Sequence, residues 1–178
     1  MTFPASIQIR SLSDSAIPKF RDIRLSALTI HPESFGPTFE EENKLDHSNW
    51  LTRIGSSDSS DFVFGAFNDE TLVGIAGFYR EKKNNFRHKG MIWGVFVVPE
   101  MRGKRIGRDL VEKALQAAEN QPGLSMVKLQ VAEPNFEAIS LYKSLGFIEF
   151  GKEPSARRIG CNYISEILMF RPTKHYAR

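Results

Sequence analysis

Hydrophobic and polar positions change period several times along this chain. Ile7 and Ile9 alternate with polar neighbours and predict a short first strand. Ile17, Phe20, Ile23, Ala27 and Leu28 then recur at helical spacing. They predict a helix ending near Ile30, with Ser13 or Asp14 as its cap. Proline and glycine in HPESFGPTF mark a loop. EEENKLDHSNWLTRI reads as one second helix, whose early glutamates suit the positive end of the helix dipole. GSSDSSD is a polar turn, and the apolar runs over 62–67 and 72–79 predict a hairpin around NDET. After the polar connection KKNNFRHK, residues 90–98 form a nearly continuous apolar run that Pro99 ends. Such a run predicts a central strand buried on both faces. Ile106, Leu110, Val111, Ala114, Leu115 and Ala118 share one face of a helix over 103–119, which QPG stops. Val127, Leu129 and Val131 alternate as another strand. A short helix over 136–145 follows, with Gly146 placed as its left-handed terminal residue. The last strands cover 147–150 and 163–170, joined by a loop that holds Arg157 and Arg158. With no internal repeat, low-complexity segment or linker, this order predicts a single α/β domain over 1–178 with a mixed sheet.

Composition narrows the class. The chain has 178 residues, 41% hydrophobic and 25% charged, as expected of a globular protein with a sizeable core. No apolar run reaches the roughly 18 residues that span a bilayer. MTFPASIQIR lacks a basic region followed by an apolar stretch, so no signal peptide is expected. The single cysteine, Cys161, reads as a buried thiol and fits a reducing cytoplasm. His31, His47, His88 and His175 are scattered without metal-ligand spacing, and no metal is expected. The net charge of +3 is mild. The densest basic cluster, Arg102, Lys104, Arg105 and Arg108, is short. A nucleic-acid binder would show a longer basic stripe with stacking aromatics. Neither nucleic acid nor membrane is an expected partner.

That cluster lies in VFVVPEMRGKRIGRDL, where a strand ends, a basic glycine-containing loop follows and a helix begins. First-turn N–H groups have no partner inside a helix and point outward at its positive end, which makes an anion site. Gly103 and Gly107 let a phosphate approach the backbone. The ligand should be small and phosphorylated. Neither GxxxxGK[ST] nor GxGxxG is present, so this is not a P-loop or a dinucleotide fingerprint.

R-G-K-R-I-G at 102–107 resembles the acyl-CoA pyrophosphate loop of the GNAT superfamily of N-acetyltransferases, whose pattern is [Q/R]-x-x-G-x-[G/A]. Arg102 and Gly107 match. Arg105 stands where the middle glycine is usual and is expected to have helical backbone with its side chain outward. N-F-E-A-I-S-L-Y-K-S-L-G-F at 135–147 is similar to the family's second signature, N-x-x-A-x-x-x-Y-x-x-x-G-F. The flanks ESFGPTFEEE and FGKEPSARRIGCNYISEILM look like one large GNAT branch of undefined substrate.

The resemblance implies an α/β (α+β) fold with a mixed, mostly antiparallel sheet of about six to seven strands and about four helices, and a splayed parallel strand pair at the CoA site. It implies acetyl-CoA as acyl donor, a primary amine as acceptor and direct transfer without a covalent enzyme intermediate. By resemblance, the main chain of Val95, Phe96 and Val97 pairs with the pantetheine arm. Arg102, Gly103, Lys104, Arg105, Ile106, Gly107 and Arg108 hold the pyrophosphate. Asn135 bonds the pantetheine or acyl region, and Tyr142 protonates the departing thiolate. Many relatives carry a glutamate near the start of the strand before the CoA loop, but HKGMIWG has none. His88 has a suitable intrinsic pKa and is the candidate base. Glu166, a water relay or an amine that arrives neutral would also serve. Phe35 and Glu166 are candidates for the acceptor side.

Simpler structural readings stand beside these. Tyr142 can pack its ring on the sheet, Asn135 can be only a helix cap, and Trp93, Phe96 and Phe78 read as core. A non-catalytic acyl-CoA sensor is the competing function, and a small nucleic-acid-binding domain would leave the paired motifs unexplained. A small-molecule amine is the expected acceptor ahead of a protein N-terminus. Polyamine, amino acid and antibiotic amine are not distinguished. A homodimer is compatible with the sequence.

Overall fold

The computed structural model describes residues 6–55 and 60–176. Residues 56–59 of the polar turn, and the first five of the chain, lie outside the described residues.

Seven strands form one sheet in the order β1-β2-β3-β4-β5-β7-β6. They are β1 (Ile7–Ser11), β2 (Phe62–Asn68), β3 (Thr71–Arg80), β4 (Lys89–Val97), β5 (Met126–Ala132), β6 (Ile148–Ile159) and β7 (Asn162–Pro172). Every neighbouring pair is antiparallel except β4 and β5. That parallel pairing covers only Lys89–Met91 against Met126–Lys128, so the strands part company beyond Met91. Among the described residues there are five α-helices: α1 (Ile17–Ile30), α2 (Phe39–Asn43), α3 (His47–Ile54), α4 (Ile106–Glu119) and α5 (Phe136–Ser144).

Apolar burial occurs on both faces of the sheet. On one, Leu110, Val111 and Ala114 of α4 and Tyr142 of α5 pack with Ala76, Phe78, Ile92, Val127 and Met169. On the other, Phe20, Ile23 and Ala27 of α1 and Trp50 of α3 pack with Val63, Phe67, Ile75 and Phe96. Helices bury one stripe against a sheet because their apolar period brings those residues to one side. The Trp93 ring lies so close over Gly77 that a Cβ there would stand 2.3 Å from it.

Several expectations are corrected. The segment 40–54 is two helices, because Asp46 accepts from Asn49 N and starts α3 afresh with a reciprocal Asn49 contact. Thr38 and Glu41 form the same kind of box at α2. Neither Ser13 nor Asp14 caps α1. A single 3-10 turn over Asp14–Ala16 precedes it, and Ser13 Oγ bonds Ser15 Oγ. The loop expected to hold Arg157 and Arg158 is part of β6, which pairs with β7 across two register shifts. Those shifts break the period-two pattern from which a strand is read. Cys161 is exposed in the β6–β7 turn rather than buried. β4 is not buried on both faces throughout: Trp93, Val95 and Val97 are only half-buried.

Candidate active site

The parting of β4 and β5 opens a cleft of about 1100 Å³. It is lined by Val95, Phe96 and Val97 of β4, by Asn135, which caps α5, and by Ala138 and Leu141 of that helix. In a strand, successive N–H groups alternate sides. Val98 N donates to Val73 O of β3, so the Val97 peptide groups face away from β3, into the gap. Val97 O there accepts from Arg102 Nε at 3.1 Å. Phe96, by contrast, faces β3 with its backbone and buries its ring on the α1 side. Of the three residues expected to pair with a ligand's extended arm, the alternation therefore selects Val95 and Val97.

One end of the cleft is the start of α4. Arg102, Gly103, Arg105, Ile106, Gly107 and Arg108 line it, while Lys104 does not. Arg105 is left-handed, with φ 63°, and no side chain caps the helix. This corrects the expectation of helical backbone at Arg105. The position has the left-handed geometry that glycine adopts readily, and an arginine occupies it. The first intrahelical bond here runs from Asp109 N to Arg105 O, so earlier N–H groups of the turn remain for a ligand. A Cβ on Gly107 would touch only Val97 Cγ2 at 3.7 Å, and one on Gly103 would meet nothing within 4 Å. Arg108 is already engaged, with Ser144 Oγ at 3.0 Å and Glu112 at 2.9 Å.

A smaller chamber of about 130 Å³ adjoins the gap. Phe35, Trp93, Gly94, Asn135 and Tyr142 are among its walls. The Tyr142 ring packs edge-on against Phe147, and burial pushes its phenol up to about 12. The phenol therefore holds its proton across the neutral range and can act as a donor. Asn135 caps α5 through Oδ1, which accepts from Ala138 N at 3.1 Å, and it lines both spaces as well. Capping and contact with the cleft coexist.

His88 is exposed at the opposite end of β4, where the strands are still paired, and lines neither space. Glu166 does not line them either. It lies 2.7 Å from Arg157 Nε, and Arg157 Nη1 donates to Phe35 O at 2.5 Å. Glu166 thus supports the Phe35 loop from behind. The sequence reading missed His31 and Glu33, which do line the cleft. Arg102 Nη2 lies 2.9 Å from His31 Nε2 and has only protons to offer. Nε2 is therefore the acceptor, and Nδ1 carries the proton that Glu33 accepts at 3.0 Å. No local pattern announces this triad, because α1 and the α4 loop meet only in the folded chain. Trp93, read as core, also proves to be a chamber wall.

The Acetyltransferase (GNAT) family model matches residues 24–147, more than half of the chain. The chain belongs to the GNAT acetyltransferase family. Its GNAT fold is shared with an acetyltransferase of the GNAT family from Streptococcus pneumoniae, at a TM-score of 0.83 and 20% identity. That match covers 94% of this chain and 99% of the other. A Salmonella typhimurium protein solved with its cofactor acetyl-CoA aligns at a TM-score of 0.82 and 19% identity, over 97% of this chain and 96% of that one. Among sequence relatives, the spermidine N(1)-acetyltransferase of Vibrio cholerae is 29% identical over 67% of this chain and 62% of its own length. The mycothiol acetyltransferase of Thermobispora bispora is 31% identical over 74% of this chain and 43% of its own. This GNAT chain therefore spans roughly two fifths to three fifths of the length of the curated relatives it matches. Among the described residues, no helix is long and apolar enough to cross a membrane, and no three His, Cys, Asp or Glu side chains gather as metal ligands would.

Proposed function

We propose that this protein transfers the acetyl group of acetyl-CoA to the primary amine of a small molecule. The observation that carries this reading is the gap between β4 and β5, which runs onto the uncapped start of α4 and has a buried phenol beside it. Val95 and Val97 offer main-chain groups to an extended pantetheine arm, much as an added strand would. The α4 turn, with Arg102 and Arg105, takes the pyrophosphate. A neutral amine attacks the thioester carbonyl, an N–C bond forms and the C–S bond breaks. Tyr142 donates its proton to the sulfur as thiolate charge develops, the amine's surplus proton passes to water, and the phenolate regains a proton from water. Holding both reactants in the gap supplies much of the rate. His88 lies outside the cleft, and His31 Nε2 already accepts from Arg102, so neither is the base and the amine loses its proton to water. The names of the relatives, for spermidine and mycothiol, favour a small-molecule acceptor over a protein N-terminus. A single cysteine fits a reducing cytoplasm.

Calorimetric titration of acetyl-CoA tests the reading, with Gly107→Glu as control. The wild type should bind in the micromolar range. The variant, which puts a carboxylate on a residue that lines the cleft, should lose at least about tenfold in affinity. Tyr142→Phe should then bind acetyl-CoA normally but turn over amines about 100-fold more slowly. A folded wild type that does not bind acetyl-CoA would end the proposal. Binding without turnover of any amine would leave a non-catalytic sensor.

A further inference from the structure

The small chamber beside Tyr142 has an electrostatic character that acetyl transfer alone does not explain. No Asp or Glu is among its walls. Behind the wall lies Arg24, on α1, only 2% exposed. Its Nε and Nη2 hold the two oxygens of Glu42, each at 2.9 Å. Glu42, itself 1% exposed, also accepts from Arg53 Nη1 at 2.8 Å. One carboxylate thus answers two guanidinium groups, and this cluster carries one net positive charge.

The remaining nitrogen of Arg24, Nη1, is buried and has no hydrogen-bond partner among the described residues. Buried polar groups are normally satisfied, and an arginine offers donors only. The direction of Nη1 is given by Gly94, where a Cβ would stand 3.7 Å from it. Gly94 is left-handed, with φ 65°, and lies where β4 slips register against β3. It is also a wall of the chamber, as are Phe35 and Trp93. The centres of those two rings lie 4.8 and 5.9 Å from Arg24 Cζ. An unpartnered donor and a net positive charge therefore stand against Gly94, Phe35 and Trp93, three walls of the chamber that Tyr142 also lines.

We propose that the acceptor is an amine that also carries a carboxylate, a compound of amino-acid size, and that Arg24 Nη1 binds the carboxylate while the amine faces the thioester. This rests on the acetyltransferase reading above and names its substrate class. A carboxylate supplies the acceptor that Nη1 lacks and balances the charge of the cluster, in a charge-assisted hydrogen bond. A polyamine would bring further positive charge into a chamber with no carboxylate wall and a guanidinium behind it, a like-charge juxtaposition that disfavours binding. Nη1 is covered in this conformation. The carboxylate reaches it when the Phe35 side chain changes rotamer, a common adjustment on binding.

The test is release of CoA thiol from acetyl-CoA with a panel of L-amino acids, the corresponding amino-acid amides, and spermidine. The best amino acid should exceed its own amide and spermidine in kcat/KM by roughly 10- to 100-fold, as loss of one charged hydrogen bond implies. In Arg24→Gln/Glu42→Gln, two amides replace the buried ion pair and no carboxylate is left unpaired. That variant should bind acetyl-CoA normally and lose the preference, through KM for the amino acid. If it does not fold, Arg24→Lys keeps the charge beside Glu42 without the third nitrogen and should lose most of the preference. Equal use of acids, amides and spermidine, or a preference that survives in a variant that still binds acetyl-CoA, would overturn the proposal and leave acetyl transfer standing. If acetyl-CoA binds but no amine is acetylated, acetyl transfer falls and this proposal with it.

Discussion

At the scale of single residues, Tyr142 joins a role in packing to the role proposed for it in chemistry. Its motif context was visible in the sequence, but its burial was not, and burial sets the acidity of the phenol. Below pH 10, both folded and unfolded chains keep that proton. Between 10 and about 12 only the unfolded chain gives it up, so folding loses stability across this window. A shift of that size corresponds to about 2–3 kcal/mol for a fully buried group. Tyr142→Phe has no such proton. The difference in urea-unfolding free energy between wild type and variant should change by that amount, against wild type, between about pH 9 and about pH 12. A difference that does not vary with pH would mean that the phenol is solvated. Arg24 was legible in one respect only: it sits at helical spacing between Phe20 and Ala27, inside an apolar stripe. Its partner Glu42 comes from another helix, and no spacing rule links the two.

At the scale of elements, the start of α4 shows how a motif can be matched while its geometry is misjudged. The basic loop after a strand predicted an anion site, and the structure has the strand, the loop and the uncapped turn. Arg105, however, has left-handed backbone, which costs an L-residue with a Cβ about 1–2 kcal/mol. Arg105→Gly should therefore raise the melting temperature by about 2–4 °C, the usual effect of 1 kcal/mol in a domain of this size. It should also weaken acetyl-CoA binding several-fold at low salt and less at high salt, since one charge at the pyrophosphate is lost. Thermal melts and calorimetry at two ionic strengths check both effects. A lower melting temperature would show that the arginine side chain does more for the fold than its backbone costs. The split of α2 from α3 has a similar lesson. Asp46 was present in the sequence, but continuous helical composition masked it as a cap until its contacts with Asn49 were seen.

At the scale of the whole molecule, the sheet is two antiparallel parts, β1–β4 and β5–β7, held edge to edge by a short parallel ladder. A ligand arm laid along β4 would fill the rest of that seam. Amide protons of Val95 and Val97 should then exchange at least about tenfold more slowly when acetyl-CoA is bound, with smaller changes in β1. Hydrogen exchange read by mass spectrometry or NMR measures this. Protection confined to the α4 turn would place the arm elsewhere.

The amino-acid sequence by itself determined the order of strands and helices apart from the break between α2 and α3, the apolar stripes of α1 and α4, the basic glycine-containing turn before α4 and the motif position of Tyr142. These follow from local periodicity, backbone preferences and contiguous motifs, all carried by residues near one another in the chain. The extent of β6, whose bulges hide its period, was not legible in this way. Nor were the groupings His31–Glu33–Arg102 and Arg24–Glu42–Arg53, or the displacement of His88 from the cleft. Those depend on which elements meet and how far two strands run before they separate. Only the packing of helices on both faces of the sheet decided them.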